Sequence, residues 1–60
     1  HLQRLKRAKA LLVETNLSME QISRRCGYSD LVYFRRVFKK QEDMTPLAYR
    51  RLYTKIYVNT

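Results

Sequence analysis

The sequence predicts an all-α fold: a small helical domain of about four short helices within 60 residues. Three observations carry that reading. Apolar residues recur at three- and four-residue steps along most of the chain. Helix-start signals stand at Ser18, at Ser29-Asp30 and at Thr45-Pro46. The single glycine, Gly27, falls between two periodic segments, where a left-handed residue ends a helix at little steric cost. The chain divides as one unit: residues 2–15 form a leading helix, 18–40 a helix-turn-helix whose second helix covers 30–40, and 45–57 a last helix and tail.

In the leading segment LQRLKRAKALLVE, Leu2, Leu5, Ala8, Leu11 and Leu12 supply the apolar stripe, and Arg4, Lys6, Arg7 and Lys9 fill a solvated remainder. Thr15 and Asn16 end the pattern. The run LSMEQ then carries a capping box, with Ser18 over the N–H of Gln21 and Gln21 reaching back, and a hydrophobic staple from Leu17 to Ile22. A second helix follows over about 19–26, with Met19, Ile22 and Cys26 inward and the small Ser23 allowing close backbone approach. Tyr28 reads as a buried anchor after Gly27, and Ser29 or Asp30 caps the third helix. Two short helices joined by a glycine-containing turn make a helix-turn-helix. Gln41–Met44 read as a turn, after which Leu47, Tyr49, Leu52, Tyr53 and Ile56 give the last helix its apolar material.

Thirteen Lys and Arg against five Asp and Glu leave a formal charge of +8, which calls for an anionic partner, nucleic acid first. Enzyme chemistry finds little material. His1 stands at an expected frayed end, Cys26 lacks a second thiol or imidazole at metal spacing, and Glu42 and Asp43 adjoin each other in a turn. No cofactor or metal is expected. One cysteine forms no internal disulfide, and no apolar run suits a bilayer, so the expected setting is cytoplasmic with no membrane partner.

The third helix decides between core and interface. Advancing about 100° per residue puts Phe34, Phe38 and Val37 on one side. Val32, Arg35, Arg36 and Lys39 form the opposite side; Leu31 borders one edge, Tyr33 and Lys40 the other. Asp30 is the only acid in GYSDLVYFRRVFKK and sits where it suits the helix N-terminus. This composition fits major-groove reading: arginine pairs with guanine O6 and N7, and a valine methyl packs on a thymine methyl. Val32, Arg35, Arg36 and Leu31 are the base-contact candidates. Lys39, Lys40, Ser29, Tyr33 and Arg50 are the phosphate candidates, with Tyr33 equally placed for the core edge.

The run LSMEQISRRCGYSDLVYFRRVFKKQEDMTPLAYR resembles the C-terminal helix-turn-helix of AraC/XylS-type bacterial transcription regulators. The resembling positions are Ile22-Ser23, Gly27-Tyr28, Tyr33-Phe34, Arg36, Phe38-Lys39-Lys40, Thr45-Pro46 and Tyr49-Arg50. The preceding RLKRAKALLVET looks like the family's linker helix. The resemblance implies a regulator that binds double-stranded promoter DNA and contacts RNA polymerase. It also implies a first helix-turn-helix and a sensing or dimerisation domain outside this sequence. Arg50 matches the motif's Tyr-Arg end, where it either braces the fold or meets the DNA backbone. Two departures stand out: Asp43 where the family usually has Gly, at a turn expected to need a left-handed backbone, and Ser23 where it often has Ala. The alternative from a different class is a protein-interaction module whose basic face meets an acidic surface.

Overall fold

The computed structural model describes the backbone of residues 2–58 and the side chains of residues 2–54. His1 and the side chains of the 55–60 tail, Ile56 included, lie outside the described residues. Four helices follow one another: α1 (Leu2–Glu14), α2 (Met19–Arg25), α3 (Leu31–Glu42) and α4 (Pro46–Val58).

Local chemistry sets most of the boundaries. At α2 the capping box forms in full: Gln21 N donates to Ser18 Oγ at 3.1 Å, and Ser18 N donates to Gln21 Oε1 at 3.0 Å. The other end closes on Gly27 at φ 88°. Gly27 N donates to Arg24 O at 3.0 Å and Tyr28 N to Ser23 O at 2.9 Å, the paired closure of a left-handed helix end. Of the two residues able to cap α3, Asp30 does so, accepting from Val32 N at 2.9 Å. Thr45 Oγ1 accepts from Ala48 N at 3.1 Å to start α4 behind Pro46.

The core gathers Leu5, Ala8 and Leu12 of α1, Ile22 of α2, Cys26 and Tyr28 of the turn, and Phe34 and Phe38 of α3. Burying each large apolar side chain stabilises by about 1.5–3 kcal/mol, which matters in so small a domain. Leu11, Leu17, Met19, Leu31, Val37 and Tyr49 pack around it half-buried. Buried Ser23 donates to Glu20 O at 3.0 Å, so its hydroxyl is satisfied where the chain turns back.

Several expectations need correction. Leu2 is 76% exposed and no part of the core, which α1 enters first at Leu5. Leu47 and Leu52 are exposed as well, so α4 contributes less apolar cover than its pattern suggested. The third helix runs beyond Lys40 to Glu42, and the turn shrinks to Asp43-Met44. Asp43 is the reason: at φ 61° it is the left-handed residue expected there, and its N–H closes on Lys39 O at 2.8 Å. Glu42 therefore ends a helix, where its carboxylate meets Lys9 of α1 at 3.3 Å.

Arg50 is the largest correction. Its Nε donates to Leu12 O at 2.9 Å, and its Nη2 donates to Thr15 O at 3.2 Å and Leu17 O at 2.6 Å. These carbonyls belong to the last turn of α1 and the strand of chain leaving it, where no helical donor remains. Between the two roles the sequence left open, Arg50 braces the fold, and it leaves the phosphate set.

Cys26 and Tyr28 are the buried titratable groups of the core. Burial pushes the Cys26 thiol up, against a weaker opposing pull from Arg7. Burial likewise raises the Tyr28 phenol, with Arg4 pulling it back in part.

Replacing Arg50 by Lys leaves one ammonium for three carbonyls, so Arg50→Lys is expected to cost about 1–3 kcal/mol, read as a lower urea midpoint at unchanged m. Asp43→Gly relieves a left-handed backbone and should gain about 0.5–1 kcal/mol in the same titration. The raised Cys26 and Tyr28 values favour the protonated folded state. Their contribution is complete below the ordinary thiol and phenol values and fades as pH climbs through the raised folded ones. The urea midpoint should accordingly stay level through neutrality and drop in the alkaline range, and Cys26→Ala should blunt the first part of that drop.

Candidate nucleic-acid interface

The rotation of α3 is set by its rings. Phe34 and Phe38 are both 0% exposed, their centroids 5.9 Å apart in an edge-on arrangement. Phe34 meets the Tyr28 ring at 5.2 Å, and Phe38 meets Tyr49 of α4 at 5.5 Å. Edge-on and tilted ring pairs of this spacing add to what burial alone supplies. With that side held, the opposite side must face water.

There the structure brings together most of the residues singled out from the sequence. Val32, in the first turn, is 59% exposed, and Arg35, Arg36, Lys39 and Lys40 are all exposed. Among the described residues no carboxylate stands at ion-pair distance from these four cations; the ion pairs formed are Lys9–Glu42 and Arg24–Glu20. The latter, at 3.9 Å between two exposed side chains, contributes little.

The face has relief. One hollow, of about 300 Å³, is lined by Arg35 together with Met19 of α2 and Thr45, Pro46 and Leu47. Another, of about 240 Å³, lies between Tyr33, Val37, Lys40 and Gln41. Between them Val32, Arg36 and Lys39 form the crest of a ridge, a shape that can enter a groove as wide as a helix.

The remaining candidates divide. Leu31 is half-buried and packs against the core, so only its outer edge reaches the ridge. Tyr33 is 46% exposed, with its ring 6.1 Å from Tyr28, and so stands on the core edge and at the rim of the ridge at once. Ser29 is exposed, and its hydroxyl is not the cap of α3, since Asp30 holds Val32 N. Arg50 is withdrawn from the interface by its three carbonyls.

One residue was missed from the sequence. Arg4 reads there as part of a solvated face, yet its guanidinium lies 5.6 Å from the Tyr28 ring centroid and its Nη1 donates to Gly27 O at 3.3 Å. Its partners lie 23 and 24 positions along the chain, beyond the reach of any local spacing rule. Among the described residues no group of His, Cys, Asp and Glu could hold a metal ion. No described helix is long and apolar enough to cross a membrane.

A protein-family model described as a helix-turn-helix domain matches residues 1–52. The xylose operon regulatory protein of Escherichia coli K12 is 50% identical over 50 residues, covering 83% of this chain and 13% of that protein. The HTH-type transcriptional activator RhaR of Mannheimia succiniciproducens is 48% identical over 52 residues, covering 87% of this chain and 19% of that protein. Among solved structures, that of the xylose-binding transcription activator xylR superposes with a TM-score of 0.84 at 48% identity, over 87% of this chain and 14% of the other. The chain thus spans less than a fifth of the length of these relatives, which are 13% and 19% covered.

Proposed function

Because the chain belongs to the AraC-type helix-turn-helix transcription regulators, we propose that it binds promoter DNA sequence-specifically by inserting α3 into the major groove. The observation that supports this best is the split of α3 itself: both phenyl rings fully buried, and the cations and Val32 all exposed with no acid among them. Val32 beside these cations suits major-groove reading, since the valine can meet a thymine methyl.

Roles follow from position on the ridge. Arg36, on the crest, reads a guanine edge through two parallel hydrogen bonds, and Val32 beside it reads a thymine methyl. Arg35 reads toward the flank that it shares with Met19 and Leu47. Leu31 touches bases only with its outer edge. Lys39, Lys40, Ser29 and the Tyr33 hydroxyl hold phosphates, which set register without reading sequence. A ridge of this size alone binds in the nonspecific range, roughly 10⁻⁴ to 10⁻⁶ M at physiological salt. Contact with RNA polymerase, a first helix-turn-helix and a sensing or dimerisation domain complete the proposed regulator, which acts in the cytoplasm.

A second reading, in which the exposed cations meet an acidic protein surface instead, rests on the same charge. It leaves the exposure of Val32 without use. Selection from random duplexes separates the two. The wild-type protein should enrich one sequence. Arg36→Ala should relax the preference at one base pair, at a cost of about 1–3 kcal/mol confined to that position. An equal loss on every duplex would make Arg36 a phosphate contact, and enrichment of no sequence would favour the acidic protein partner.

A further inference from the structure

We propose that Arg4 is a positioning residue for the DNA interface, tying the first turns of α1 to the turn that launches α3. The inference rests on the DNA-binding reading above and adds to it a residue that touches no DNA. Arg4 holds the turn at two points: a hydrogen bond to Gly27 O at 3.3 Å, and its guanidinium 5.6 Å from the centroid of the Tyr28 ring. Gly27 is called for by its φ of +88°, which L side chains rarely adopt, and a Cβ there would meet Arg4 Cζ only at ordinary van der Waals contact, 3.5 Å.

The path onward is made of packed rings. Tyr28 lies 5.2 Å from Phe34, which fixes the rotation of α3, and 6.1 Å from Tyr33 at the rim of the ridge. Among the described residues the Tyr28 hydroxyl is buried without a hydrogen-bond partner, while packing and the guanidinium beside its face hold the ring. A shift of the α1 N-terminal turn therefore reaches Tyr28 and Gly27 directly, and through Tyr28 it reaches the base of the recognition helix. Arg50 holds the other end of α1 to α4, so the leading helix is pinned at both ends to the unit that it precedes.

The test compares wild type, Arg4→Gln and Tyr28→Phe on the selected duplex and on a duplex mismatched at one base pair, across a salt series. All measurements are made where far-UV circular dichroism shows each variant fully folded. Loss of a phosphate contact lowers the slope of log K against log salt by about 0.9, whereas loss of a positioning contact leaves that slope in place. Arg4→Gln should weaken binding to the selected duplex about three- to tenfold with an unchanged slope, and should narrow discrimination against the mismatch. Tyr28→Phe keeps the ring and should bind as wild type does. A reduced slope would make Arg4 a phosphate contact and overturn the inference. So would folded Arg4→Gln protein that binds and discriminates as wild type does. Failure of the wild type to discriminate would instead remove the DNA-reading premise, and the two failures are thereby told apart.

Discussion

Burial of Phe34 and Phe38 in the common core is the constraint on which the rest depends. A helix carries both a core stripe and a partner stripe only if one of them is fixed, and α3 is fixed by its rings. The Phe34 and Phe38 rings form part of a continuous line of aromatic pairs from Tyr28 in the turn to Tyr53 on α4. Rotating α3 by one residue would bring Arg35 toward the core, where an unpaired charge costs several kcal/mol. The exposure of Arg36 and Val32 is therefore a consequence of packing on the other side of the helix. No interaction on the exposed side has to hold them there.

Caps and long-range arginines divide the remaining work. The boxes and caps at Ser18, Asp30 and Thr45 decide where helices start, each worth about 1 kcal/mol. They say nothing of how one helix sits on another. That is settled by the core together with Arg50 and Arg4, whose guanidinium groups meet backbone carbonyls of distant turns. Arginine suits this task because a planar group with several donors can bridge carbonyls that point in different directions. Both residues act on α1, which explains how a helix with one narrow buried stripe stays fixed against its neighbours.

This division also explains what could be read from the sequence. Helix starts and the two left-handed turn residues, Gly27 and Asp43, were legible because each depends on atoms within a few residues. The split of α3 was legible because its side-chain period is fixed by backbone geometry. The reach of α3 to Glu42 was missed, since the acids there resembled turn residues, and only the closure at Asp43 decides the boundary. The role of Arg50 was visible only as a choice between two, because carbonyls more than 30 positions away settle it. Leu2 was misread for the same reason: periodicity marks a face, and whether a neighbour covers it is a tertiary fact.

Affinity and specificity draw on different parts of the proposed interface. The net charge of +8 draws the chain to any duplex, and that attraction falls steeply with salt. In the proposed reading discrimination comes from α3, where a bidentate arginine and a methyl contact would supply only a few kcal/mol. Such a sum does not single out one promoter among the sites of a genome. A second reading unit on the same chain would act at high effective concentration and multiply the discrimination without new contacts here. That gain depends on a fixed spacing between the units, since a loosely joined pair loses it. The double attachment of α1, through Arg4 at one end and Arg50 at the other, gives the chain the rigid leading helix that such spacing would require.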